Sequence, residues 1–240
     1  IKGDLQMHSY FSDGATSVRD MALKALELGY SYIAITDHSK SLYVANGLLP
    51  DRIVFQHEEI DAVNLEFAGK LKVFKGTEVD ILPDGSLDYP DEVLKKFDFV
   101  LVSVHTAMKT DVEKMTDRII RAISNPLVHC LGHPSGRLIG RRPEFEVKWD
   151  KIFEAAKKAG IAIEINAHPS RLDLNEKHCR TASEMGIPII INTDAHSPSQ
   201  MDLMEYGVFV ARRGWLKASS VLNTLTLDKI EEWMNNKRNN

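Results

Sequence analysis

The sequence predicts an α/β protein in which parallel strands deliver polar side chains to one edge of a sheet, and three observations predict it. Short apolar runs rich in β-branched residues, such as Ile189, Ile190 and Ile191, lack the alternation of a half-exposed strand and read as strands covered on both faces. Helical patterns separate these runs, which implies right-handed crossovers and a parallel sheet. The runs end abruptly in polar groups, and in parallel α/β architectures the C-terminal edge carries the site, whether the sheet is open or closed into a barrel. A chain of 240 residues suits one large domain, a size at which α/β barrels run as single units.

The first strand leads through Asp4 and Gln6 to His8, ahead of the turn Ser12-Asp13-Gly14. Ser17 caps a helix over 18–28, with Asp20 as its capping-box partner and Gly29 as its stop. The strand from Tyr32 ends in Asp37 and His38, and the segment 39–49 is long for a βα connection, as loops that form part of a site often are. A helix over 50–67 follows, with His57 as a solvated residue, and the next strand delivers Glu78. Pro83, Asp84 and Gly85 mark a turn before a short helix over 90–97. The strand from Phe99 delivers His105, and a helix over 112–124 ends at Asn125-Pro126, where proline disfavours the helical region for the residue before it.

The strand to His133 opens into a basic loop over 134–143, and a helix over 147–159 stops at Gly160. A strand ending at Asn166 and a helix over 174–185 lead to the last strand, which ends in Asp194 and His196. Beyond it, 208–215 reads as a short strand with Arg212 and Arg213 beside Trp215; helices over 218–222 and 227–235 follow, with Trp233 packed on the body and 237–240 fraying.

The net charge of -4 excludes a uniformly basic nucleic-acid binder but leaves room for a local basic patch. No apolar run approaches the roughly 18 residues of a membrane span, so a cytoplasmic protein is expected. Cys130 and Cys179 form no Cys-x-x-Cys pattern and are expected to be free thiols. The chain opens at Ile1 and is read as a fragment of a longer one.

Imidazoles combined with carboxylates suit Zn²⁺, Mn²⁺ or Fe²⁺, and a bridging carboxylate can hold two cations. Such centres perform hydrolysis, because a metal lowers the pKa of bound water towards about 7 and neutralises phosphoryl charge. One Asp-x-His is weak evidence; its recurrence at successive strand ends carries the case. His129 and His178 lie away from strand ends and read as structural or exposed, whereas His168 lies nearer the mouth.

The motifs Asp4-x-x-x-His8-Ser9 with Ser12-Asp13-Gly14, Thr36-Asp37-His38, Gly76-Thr-Glu78, Ser103-Val-His105, Gly132-His133-Pro134 and Thr193-Asp-Ala-His196 resemble the polymerase-and-histidinol-phosphatase (PHP) superfamily. The longer strings around Gly132–Arg142, Glu164–Leu174 and Ala211–Trp215 resemble the C-terminal PHP domain of bacterial family-X DNA polymerases. The resemblance implies a distorted seven-stranded, TIM-like (β/α) barrel holding three divalent cations, with zinc or manganese foremost and iron admissible. It assigns Gln6, His8, Glu78 and Asp194 to one cation, Glu78, His105 and His133 to a second, and Asp13, His38 and His196 to a third. Gln6 stands where many relatives have histidine.

The resemblance further implies a phosphoesterase, foremost a 3′–5′ DNA exonuclease with a covalently linked polymerase region, in which Glu78, Asp194 and His196 stand closest to the chemistry. Arg137, Arg141, Arg142, Arg171, Arg212 and Arg213 are candidate phosphate contacts, since guanidinium groups suit bidentate recognition of phosphate. The alternatives are a phosphomonoesterase on a small metabolite and a catalytically silent scaffolding domain.

Overall fold

The computed structural model describes residues 1–239, with side chains through Lys237. Strands β1 (Gly3–Asp4), β2 (Tyr32–Ile35), β3 (Lys72–Asp80), β4 (Phe99–Ser103), β5 (Cys130–Leu131), β6 (Ala162–Asn166) and β7 (Ile189–Asn192) lie in chain order in one sheet, each parallel to the next. The distortion is concentrated in β3. Its first half, Lys72 to Lys75, pairs with β2, while its second half, Gly76 to Asp80, pairs with β4.

The ends of the sheet meet. Above the strands proper, Met7 bridges Ala195, and His8 N donates to Ala195 O at 2.8 Å. Lower down, Asn223 fills the seam: its amide donates to Gly3 O at 2.9 Å and to Ile191 O at 2.5 Å, and its oxygen accepts from Ile191 N at 3.1 Å. A side-chain amide thus supplies bonds that a direct β1–β7 ladder would make.

Helices cover the outside: α1 (Val18–Glu27), α2 (Ile53–Glu66), α3 (Asp91–Leu94), α4 (Val112–Ile123), α5 (Trp149–Ala159), α6 (Glu176–Glu184), α7 (Met204–Arg213) and α8 (Leu227–Asn239). The capping box of α1 forms as its sequence specifies, with Ser17 accepting from Asp20 N and the Asp20 carboxylate accepting from Ser17 N; removing such a cap costs about 1 kcal/mol. Val18, Met21, Ala22 and Ala25 bury one face of α1. One core lies between sheet and helices, and a second fills the barrel with Leu5, Tyr32, Phe74, Phe99 and Leu101. Ile230 and Met234 of α8 join this inner core, and Trp233 packs beside it.

Three expectations need correction. The segment 208–215 is not a strand: residues 208–213 belong to α7, whose buried Met204, Gly207, Val210 and Ala211 recur at helical spacing, and 214–215 form the turn beyond it. Gly207 permits that packing, because a Cβ there would stand 2.9 Å from Ala167 Cβ. Helical burial periodicity overrides the strand preference of Val208, Phe209 and Val210. Residues 218–222 make not one helix but two short 3-10 turns, Ala218–Ser220 and Leu222–Thr224. Nor does Lys237 fray, for it is buried and its Nζ donates to Pro126 O at 3.1 Å; residue 240 lies outside the described residues. Cys130 and Cys179 are free and buried. No helix among the described residues is long and apolar enough to cross a membrane.

Candidate metal centre

The strand ends converge on Glu78. This carboxylate is fully buried at the end of β3, with Oε1 2.8 Å from His133 Nε2 and 3.3 Å from His105 Nε2. Its Oε2 lies 3.4 Å from both His8 Nε2 and His38 Nδ1. Around it, Asp194 Oδ1 stands 3.0 Å from His8 Nε2, and Asp13 stands 3.4 Å from His196 Nε2 and 3.6 Å from His38 Nε2. Three groups bring their ligand atoms within 4.8 Å of one another: His8, Asp13, His38 and His196; His38, Glu78 and His105; His8, Glu78 and Asp194. The partition differs from the sequence expectation in three places, the first being that His133, 2.8 Å from Glu78 Oε1, falls outside all three groups. His8 stands with the Asp13 group as well as with Asp194, and His38 faces Glu78 as well as Asp13.

This donor set fits divalent cations. Separations of 3.4–3.8 Å, as between His8, His38, Glu78 and Asp13, are long for hydrogen bonds. Two ligands each about 2.1 Å from one cation stand about 3.0–3.5 Å apart. Glu78 Oε2, His8 Nδ1 and His38 Nδ1 are buried without a hydrogen bond among the described residues, as are both amide atoms of Gln6. Backbone geometry also serves the convergence: His133 and Asp194 leave their strands with φ of 24° and 56°, a left-handed region that non-glycine residues occupy at a cost of about 1–3 kcal/mol.

Electrostatics divides the imidazoles. Burial, opposed by Glu78, depresses His38 to about 3, and burial also lowers His133, so both are held neutral, the form that binds metal. For His105 burial acts in the same sense but is outweighed by Glu78 and Asp80, which raise it to about 10. His196 is likewise raised to about 9, its bond to Asp13 and the charge of Asp194 overcoming burial. Burial opposes ionisation of Asp13, yet the His196 bond and the His8 and His38 rings bring it to about 2.

Several groups without a role in the sequence expectation support the centre. Asp37 accepts from Ser9 N at 2.8 Å and from Ser9 Oγ, Ser12 Oγ and Gln56 Nε2, each at 2.6 Å, tying together the segments that carry His8, Asp13 and His38. Asp80 holds His105 Nδ1 through a short contact. Glu164 lies inside the barrel, accepting from His133 N and Asn192 Nδ2 at 2.7 Å, and burial with the Asp194 charge pushes it well above the ordinary carboxylate range. Strand parity was the available signal: Asp80 follows Glu78 by two residues and Glu164 precedes Asn166 by two, so each pair shares a strand face. Two other histidines sit elsewhere than solvent. His57 is half-buried edge-on against Phe97 and depressed to about 4 by burial, and His129 is buried, accepting from Val100 N at 3.1 Å.

The six arginines separate. Arg171 reaches the centre, its Nε 3.5 Å from Asp194 Oδ2 and its Nη1 buried without a hydrogen bond among the described residues. Arg142 lies close enough for the Arg171 charge to lower it further than burial does alone, and its Nε donates to Gly136 O at 2.8 Å. Arg141 is exposed on the same loop. Arg137 is committed to structure, donating to Arg171 O at 2.6 Å, to Leu172 O and to Glu144. Arg212 and Arg213 are not brought to the bowl. They occupy the last turn of α7, where Arg212 shares a cleft with Ile1 and Val221, and Arg213 pairs with Glu176 at 2.9 Å. A helix leaving the C-terminal edge of β7 carries its own end away from that edge.

Residues 4–168 match the family described as PHP domain. The chain is 47% identical over its whole length to the DNA polymerase/3′-5′ exonuclease PolX of Bacillus subtilis, of which it spans 41%. It is 31% identical over 92% of its length to a "probable phosphatase" of Thermoanaerobacter sp. (strain X514), covering 96% of that protein. A solved histidinol phosphate phosphatase of Lactococcus lactis, in complex with zinc, L-histidinol and phosphate, has the same fold: TM-score 0.70 at 20% identity, covering 90% of this chain and 94% of that one.

Proposed function

The chain belongs to the PHP domain family and is a metal-dependent phosphoesterase of that type, and from this premise we propose that it cleaves DNA phosphodiester bonds as a 3′–5′ exonuclease. The observation that carries the choice of DNA is the 47% identity to PolX across the whole of this chain. The chain spans about two fifths of that relative, which supports a polymerase region elsewhere in a longer protein.

Gln6, His8, Asp13, His38, Glu78, His105, His133, Asp194 and His196 would hold three cations, zinc or manganese, with Glu78 shared between neighbours. Bound there, such cations acidify water and neutralise charge on a phosphoryl group. The protein's own groups supply the rest. The side chains of Asp13 and His196 are about one-third exposed, at 32% and 33%, and form the lip where a phosphate enters, while Glu78 and His8 form the buried floor. Arg171, whose Nε lies beside Asp194 and whose Nη1 has no hydrogen bond among the described residues, binds a phosphate oxygen and orients the scissile group. Arg142 and Arg141 meet the next phosphates along a strand. Glu164 braces His133 through its backbone, fixing the ring against Glu78.

The test is to incubate protein of measured metal content with oligonucleotides labelled at one end or the other in Mn²⁺. Stepwise shortening of a 5′-labelled strand supports the reading, and release of the 5′-terminal nucleotide first reverses the polarity. The similarity to the "probable phosphatase", which the chain covers almost completely, favours a second reading, a phosphomonoesterase on a small metabolite. Rapid turnover of nitrophenyl phosphate with intact oligonucleotides would decide for it.

A further inference from the structure

The loop between β2 and α2 leaves the metal centre immediately after His38 and returns at Leu48. Its base is fastened to the site: Ser39 N donates to Glu78 O at 2.9 Å and Leu48 N donates to His38 O at 2.8 Å. Ser41 Oγ donates to Asp80 Oδ2 at 2.9 Å, the carboxylate that also holds His105, and Ser41 N donates to Asp88 at 2.7 Å. From the other side, Asn46 Nδ2 donates to Phe11 O at 3.1 Å, close to the segment that carries Asp13. Ala45 is buried beneath the turn.

This bracing presents two apolar side chains to solvent. Tyr43 is 87% exposed and Val44 is 94% exposed, on a 3-10 turn whose neighbours are tied down. The fold gains nothing from packing either side chain. They stand on the turn of a loop rooted in the bowl and are not among the side chains that converge on Glu78, so a ligand held by those side chains alone does not use them. A substrate that continues beyond the scissile phosphate can use them. Aromatic faces stack on nucleobases without regard to sequence, and such contacts accompany backbone-tracking cations in single-strand binders.

We propose that Tyr43, with Val44 beside it, is a stacking platform for an unpaired nucleobase of a single-stranded substrate whose phosphate lies in the bowl. The role rests on the phosphodiesterase reading above and narrows it to unpaired polynucleotide. It makes Tyr43 a determinant of preference for polymer over small esters.

The experiment compares wild type, Tyr43→Ala and Tyr43→Trp on an unstructured deoxyoligonucleotide, on the same strand with abasic terminal positions, and on bis(p-nitrophenyl) phosphate. Tyr43→Ala should lower the ratio of kcat/KM on the oligonucleotide to that on the small diester about tenfold, mainly through KM, and Tyr43→Trp should restore it. Abasic positions should cost wild type a similar factor and Tyr43→Ala almost nothing further. An unchanged ratio, or losses from substitution and abasic substrate that simply multiply, would overturn the platform while leaving the phosphodiesterase intact. Wild type that turns over nitrophenyl phosphate but no oligonucleotide would remove both.

Discussion

Glu78 concentrates the contacts of the site in one side chain, since each of its oxygens faces two imidazoles while water is excluded from it. We expect Glu78→Ala to reduce turnover to background and to lower metal content at more than one position, measured by elemental analysis; full metal retention with near-normal turnover would separate Glu78 from the bridging role. Gln6 makes a contrasting case. Its amide is buried without a hydrogen bond among the described residues, and an amide oxygen is a poorer partner for Zn²⁺ than an imidazole nitrogen. Gln6→His should therefore raise zinc retained after dialysis and reduce the Mn²⁺ needed for activity, and equal zinc content in the two proteins would refute this. Of the side chains proposed as ligands, Gln6 and Asp13 entered through the resemblance of their motifs, and the other seven were legible in their place at or just beyond a strand end. Asp37 and Asp80 were not, because their roles lie in hydrogen bonds to residues remote in sequence, such as the one that joins Asp80 to His105, 25 positions away.

Elements were legible where local signals agreed with tertiary packing, as in α1, and misread where they conflicted, as in α7. Val208, Phe209 and Val210 favour a strand locally, and only the buried face formed by Gly207 and Ala211 against the barrel decides for helix. In α2 the same blindness hid His57, whose polar neighbours Gln56 and Glu58 suggest solvent but whose ring lies against Phe97. Burial is the main cause of its depressed pKa, with Lys75 and Lys96 reinforcing it and Asp98 and Asp61 opposing. Such a histidine binds fewer protons folded than unfolded, so its contribution to stability is full above its ordinary 6.5 and is lost as pH falls towards 4. We expect the Tm of wild type to fall more steeply than that of His57→Gln between pH 6.5 and 4. Parallel curves by calorimetry would count against the assignment.

The whole barrel depends on a residue that carries no chemistry. Asn223 is fully buried and bonds both edges of the sheet, so Asn223→Ala would leave Gly3 O, Ile191 O and Ile191 N without those partners. Leaving buried polar groups unsatisfied costs about 1–3 kcal/mol each, and partial relaxation should bring the loss of unfolding free energy to about 3 kcal/mol. Urea titration measures it, and a change below about 1 kcal/mol would show that the seam holds without the amide. The parallel sheet was readable from strand–helix alternation; the seam was not, because nothing local in Leu222-Asn-Thr224 announces a partner 220 positions away. That separation also sets a timetable. A chain emerging from the ribosome can pair β2 with β3 and β3 with β4 early, since these contacts are near in sequence, but the ring closes only after residue 223 has been made. His8 and Asp194, drawn from opposite ends of that closure, meet among the last groups to do so, and a nascent chain brings its imidazoles and carboxylates together only once the seam residue has been made, rather than strand by strand.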